Sequence, residues 1–168
     1  MRVSPDQVLI VEGIHGLNPM LTEAVPREEK FLIYLSALTQ LGIDDSHSVS
    51  TTDNRLIRRI VRDHLFRGHP AIRTLELWQS VRRGEERWIF PFQENADVIF
   101  NSSTLYELAV LKNHIYPLLT AVEPEQTCYE AVRVMVKILN YVQAAQVEDE
   151  IPPTSLVREF IGGNSFYR

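Results

Sequence analysis

The chain is short of sulfur: Cys128 is its single cysteine, so no internal disulfide can form. A reducing, cytoplasmic setting is the simplest reading of that usage. Long apolar runs are missing as well, since the longest, Phe31 to Leu35, is a quarter of the roughly 20 residues that span a bilayer. The first residues, Met-Arg-Val-Ser-Pro-Asp-Gln, place a proline and an acid where a signal peptide needs its apolar core. Positive charge is not in excess. Seventeen Lys and Arg stand against 22 Asp and Glu, a formal net charge of −5, which gives no global field to recruit nucleic acid or an anionic membrane. The five histidines show no metal-ligand spacing, and no Gly-x-Ser-x-Gly frame supports a nucleophile-elbow hydrolase.

What is present is ordinary globular usage. The 168 residues are 45% hydrophobic and 23% charged, which suits one domain over residues 1–168, burying about 70% of its unfolded surface. Val8 to Val11 is a continuous apolar run closed by Glu12-Gly13, which predicts a strand buried on both faces, as in a parallel sheet. Phe31 to Leu35 predicts a second, and Asp97 to Phe100, ending in Asn101-Ser102-Ser103, a third. Helical patterns separate them, so the fold class is α/β.

A helix is predicted from an Asp53 N-cap to Phe66, stopped by Gly68 and Pro70. Leu56, Ile57, Ile60, Val61 and Leu65 share its core side. Arg55, Arg58, Arg59 and Arg62 fall within an arc of about 100° on the other. Thr74 to Arg87 predicts a second helix with Leu77, Trp78 and Val81 inward, followed by an extended Trp88 to Phe92; Tyr106 to Tyr116 predicts a third. Glu125 to Gln146 carries two apolar seams, so that helix should be buried along most of its girth. Residues 148–168, with Phe160, Ile161 and Phe166, read as an apolar tail that docks on something.

Glu12 sits at the end of the first strand, where open α/β sheets place ligands, and a carboxylate there can hold Mg²⁺ directly or through water. The same pattern also marks a plain strand-to-turn boundary. Gly13 and Gly16 in the following turn let backbone approach a phosphate closely. Arg55, Arg58, Arg59, Arg62 and Arg67 gather five of the 17 cations into 13 residues, a pattern suited to polyphosphate because guanidinium groups bind it bidentately. A solvated helix face with Asp53 and Asp63 as local partners reads equally well. Nucleic-acid backbone is a third reading, opposed by the net charge. Trp78, Trp88, Phe90 and Phe92 read as core residues, with stacking on a base as the alternative.

Val8-Leu-Ile-Val-Glu-Gly-Ile14, then Asp53-Asn-Arg-Leu-Ile-Arg-Arg-Ile-Val-Arg-Asp63 with Arg67-Gly68, then Ala96-Asp-Val-Ile-Phe-Asn-Ser102 resemble, in that order, the uridine kinase and phosphoribulokinase family of P-loop kinases. They resemble its Walker-B strand, arginine-rich lid helix and last sheet strand. Ser36 to Asp45, Ser80 to Glu86 and Arg158 to Gly163 resemble its long bacterial uridine kinase-like members. The resemblance implies a partial P-loop NTPase-like parallel sheet flanked by helices, with a helical C-terminal part. It implies ATP and Mg²⁺ as cofactors and a nucleoside 5′-hydroxyl as phosphoryl acceptor. Glu12 matches the acid near Mg²⁺. Arg59 and Arg62 match lid arginines facing the transferring phosphates, with Arg58 and Gly13 on the cofactor side. Arg67 matches an arginine near the nucleoside, and His69 stands where compact uridine kinases usually have another arginine. Asp97 reads as a structural acid at the strand start.

Gly-x-x-x-x-Gly-Lys-Ser/Thr is nowhere in the chain, and neither is any Gly-Lys pair. The chain therefore resembles the C-terminal portion of such a kinase, a fragment inactive alone. In the family the P-loop strand lies between those matching Val8 to Val11 and Phe31 to Leu35, so the sheet is expected to close these two together or to pair between chains as a homo-oligomer. The alternative function is a non-catalytic module whose arginine face holds nucleotide or RNA.

Overall fold

A computed structural model describes residues 4, 6–39, 42 and 48–166. Ser46, His47 and much of the Ser36 to Asp45 segment lie outside the described residues. Two compact units are present, unit 1 formed by Met1–Tyr34 and Val81–Phe100 and unit 2 by Leu35–Ser80 and Asn101–Arg168.

The architecture is α/β and contains a short parallel sheet of the partial P-loop-like kind. Strand β1 (Ile33–Ser36) is followed by helices α1 (Thr51–Arg67) and α2 (Ala71–Trp88), then strand β2 (Val98–Asn101) and helices α3 (Glu107–Thr120), α4 (Tyr129–Asn140) and α5 (Arg158–Ile161). The two strands pair in parallel register: the Leu32 carbonyl accepts from the Asp97 and Val98 amides, and the Ser36 carbonyl accepts from the Ser102 amide.

Val8 to Val11 departs from expectation. It forms no strand, and its side chains are exposed, Val8 to 88% and Ile10 to 87%. A strand needs a neighbour to take its amide and carbonyl groups, and among the described residues Val8 to Val11 has none: β1 pairs with β2 on one edge and the expected pairing with Val8 to Val11 is not formed. Nor is β1 buried on both faces: Tyr34 and Ser36 point inward while Ile33 and Leu35 are exposed. All four residues of β2 are exposed.

Helix α1 begins one turn earlier than Asp53 suggests. Ser50 is the N-cap, its hydroxyl accepting from the Asp53 amide at 3.0 Å. Gly68 ends the helix in the left-handed conformation, φ 63°, which a side chain would resist. Leu56, Ile57, Ile60 and Val61 are buried as expected, but Leu65 is exposed and Arg58 is buried. Helix α1 packs on α3 and α5, and α3 on α4, around the core of unit 2.

Three other expectations are corrected. In α2 the inward face runs through Ala71, Thr74, Leu75 and Glu85, with Trp78 packed on the core and Val81 half-buried as expected, but Leu77, one residue off that face, is exposed. Phe90–Asn95 forms a 3₁₀-helix rather than an extended segment, with Pro91 near its start. In place of one helix from Glu125 to Gln146 stands the shorter α4, which buries Val132, Met135 and Leu139 and leaves Val134 and Tyr141 exposed. The tail lies on unit 2: Val157 and Phe160 are buried, and Arg158 donates to the Glu148 and Ile151 carbonyls. Among the described residues no helix is long and apolar enough to cross a membrane.

Candidate functional site

The arginines of α1 divide into two groups by what they touch. Arg58 is turned inward, where Nε and Nη2 donate to Glu107 and Nη1 and Nη2 donate to the Ser102 hydroxyl and carbonyl. Its ion pair with Glu107 closes at 2.5 Å, and the Phe160 ring lies under the guanidinium, 4.9 Å from its centroid. Asn54 donates to the same carboxylate. With its donors committed in this way, Arg58 ties α1 to α3, to the end of β2 and to the tail. It leaves the exposed stripe because a buried acid 49 residues away, invisible to local periodicity, offers it a bidentate partner.

Arg59, Arg62 and Arg67 form the second group. Asp63, its side chain only 3% exposed, lies 3.3 Å from Arg59 Nε, 3.6 Å from Arg62 Nε and 2.9 Å from Arg67 Nη1. The Thr74 hydroxyl donates to its Oδ2, the oxygen Arg59 also approaches, at 3.3 Å. Of the three arginines, Arg67 is the one that makes a hydrogen bond with Asp63 among the described residues. Among the described residues the buried Nε atoms of Arg59 and Arg62 lie within ion-pair range of Asp63 without a hydrogen bond to it, and their Nη atoms make none either. Both side chains keep a little under a third of their surface exposed. Three cations around one anion leave a local excess of two positive charges, concentrated at one end of α1.

Asp63 also holds the backbone there, its carbonyl accepting from the Gly68 and His69 amides. His69 is half-buried directly after this turn. In the sequence Asp63 reads only as a local counter-charge; its position four residues after Arg59 and four before Arg67 is the signal that it serves several guanidiniums at once.

Glu12 and Gly13 belong to unit 1. Glu12 is exposed, and open space surrounds the position a Gly13 side chain would take. The Gly16 amide donates to the Gly13 carbonyl at 2.9 Å, closing the turn. Among the described residues no three His, Cys, Asp or Glu groups gather to hold a metal. Asp97 accepts from Arg27 at 2.5 Å and from the Leu32 amide at 2.7 Å. The Arg27 hydrogen bond first, then that amide, hold its carboxyl below the usual range. These bonds make it a fastener at the start of β2.

The fold is α/β with a short parallel sheet, and α1 carries three arginines about one buried aspartate. The sequence model of the Phosphoribulokinase / Uridine kinase family matches residues 1–109, and the chain belongs to that family of kinases. No curated protein and no solved structure matches the chain.

Proposed function

We propose that these residues serve uridine kinase-like transfer of the ATP γ-phosphoryl group to a nucleoside 5′-hydroxyl, in a cytoplasmic setting. The observation that supports this most is the cluster of Arg59, Arg62 and Arg67 about one buried aspartate, in which Arg59 and Arg62 approach Asp63 through Nε and, among the described residues, their Nη groups make no hydrogen bond. Phosphoryl transfer depends on positioning and charge neutralisation more than on covalent chemistry, and such guanidiniums supply both. Arg59 and Arg62 would contact the transferring phosphates. Arg67 and His69, at the end of the helix, would face the nucleoside. Arg58 would act on the cofactor side by fixing the helix, since Glu107 and Ser102 occupy its donors. Glu12 would hold Mg²⁺ and the Gly13 backbone would lie near phosphate; Mg²⁺ supplies charge neutralisation on ATP when bound.

The chain has no Gly-x-x-x-x-Gly-Lys-Ser/Thr, so the loop cradling the β- and γ-phosphates would come from residues other than these 168. By themselves they are expected to give negligible phosphorylation of uridine. In a protein that joins them to a P-loop, Arg62→Ala should lower kcat by about a thousandfold or more, as loss of an arginine acting on transferring phosphate does, with the circular dichroism spectrum unchanged. Unaltered turnover would assign the cluster to solvent. Titration calorimetry with ATP, uridine and RNA completes the test. Silence with nucleotides and a steep salt dependence with RNA would replace the kinase reading with the RNA-binding one.

A further inference from the structure

Asp63 is a buried carboxylate that phosphoryl transfer does not itself call for, yet three of the four residues assigned to phosphate and nucleoside touch it. Arg59, Arg62 and Arg67 approach it through Nε, Nε and Nη1, and Thr74 fixes it from α2. An arginine side chain has several rotatable bonds, and ordering three of them around one ligand opposes binding by their lost rotamer freedom and their mutual repulsion. A buried anion between them lessens both costs before the ligand arrives. It also leaves the Nη atoms of Arg59 and Arg62 for the ligand.

We propose that Asp63 is a positioning residue that preassembles Arg59, Arg62 and Arg67 into one claw for a linear polyphosphate. The inference rests on the phosphate-lid reading above. It makes a prediction whose sign differs from that of simple electrostatics. Asp63→Asn keeps the shape and adds one net positive charge to the cluster. If Asp63 were merely a counter-ion competing with the ligand, that change would tighten binding of a polyanion. If it positions the arginines, binding weakens despite the extra charge.

The probe is inorganic tripolyphosphate, titrated into the 168-residue chain and followed through the arginine Nε–H resonances in ¹⁵N-resolved spectra. In the wild type the Arg59 and Arg62 signals should move on binding. In Asp63→Asn the dissociation constant should rise about tenfold, and those signals should broaden or collapse toward free arginine even before probe is added. Affinity equal to or tighter than wild type would overturn the positioning role while leaving the lid reading intact. A wild-type chain whose Arg59 and Arg62 signals ignore tripolyphosphate would overturn the lid reading, and this inference with it. Should Asp63→Asn fail to fold, Thr74→Val decides the question, because it removes only the hydroxyl that fixes Asp63 and keeps the side-chain volume. A rise of about threefold in its dissociation constant supports the role; no change overturns it.

Discussion

The two units differ most in what they bury. Unit 2 encloses a continuous apolar core from α1, α3, α4 and the tail, with Ile57, Ile60, Leu111, Ile115 and Leu119 fully inaccessible. Unit 1 buries little of its apolar surface: among the described residues Tyr34 is its sole buried hydrophobic side chain, while Val8 to Val11, Phe31, Ile33 and Val98 to Phe100 are exposed. The sequence patterning of unit 1 is that of a sheet interior. Its run of four consecutive apolar residues suits a strand covered on both sides, and a sheet of two strands cannot provide that cover. The contrast teaches that apolar patterning records the burial a segment is suited to, and burial is realised only where the remaining strands and layers are present. A homo-oligomer pairing these edges is one proposal for the cover, and a chain supplying the P-loop strand is another.

The largest effect that would sharpen the contrast is expected from the polar centre of unit 2. Glu107→Ala leaves the Arg58 guanidinium buried without its carboxylate, and removing one partner of such a pair costs about 3–5 kcal/mol. Urea unfolding followed by tryptophan fluorescence should show a correspondingly lower midpoint. A loss below about 1 kcal/mol would mean that water reaches Arg58 and that the core of unit 2 is looser than its packing indicates.

Next comes a matched pair of apolar truncations. Leu111→Ala, in the core, should cost about 2–5 kcal/mol through lost transfer energy and the cavity left behind. Ile10→Ala, at an exposed position, should stay within about 0.5 kcal/mol and lower the tendency to self-associate. Native-state amide exchange should rank the units in the same order, with α1 and α3 exchanging near the global limit and residues 6–16 exchanging at rates close to those of an open chain. Strong protection of Val8 to Val11 at high protein concentration alone would identify a second copy as the missing cover.

Sequence reading succeeded where local rules govern and failed where a distant partner decides. The extent of α1 follows from apolar spacing and from Gly68 with Pro70, and the structure differs by three residues at its N-cap and one at its end. The depth of Arg58 could not be read, because helical periodicity places any arginine opposite the apolar side and Glu107 enters only through the tertiary fold. Arg59 and Arg62 stood out by density of charge. Their buried hub was half legible in the spacing about Asp63, whereas its bond to Thr74 on the next helix was not. Val8 to Val11 was misjudged for a different reason, since its composition describes a buried strand and only tertiary context could show that no neighbour pairs with it.

The smallest expected effect belongs to unit 1 and turns on pH. Asp97 fastens β2 to the segment before β1 through Arg27 and the Leu32 amide, and those hydrogen bonds keep its carboxyl below the ordinary 3.8. A carboxyl whose value is lower in the folded state binds its proton less readily there than in the open chain, so it adds stability above the unfolded value. That contribution fades as pH falls through the folded one. The fastening in unit 1 should therefore be complete at neutral pH and weaken only in acid below the usual aspartate range. Protection of the Leu32 and Val98 amides should fall on acidification after correction for intrinsic exchange. In Asp97→Asn it should already be reduced at neutral pH and show little further change in acid. An Asn variant that kept the wild-type acid response would show that another group fastens this edge, and that unit 1 is held by something other than the Arg27 and Asp97 pair.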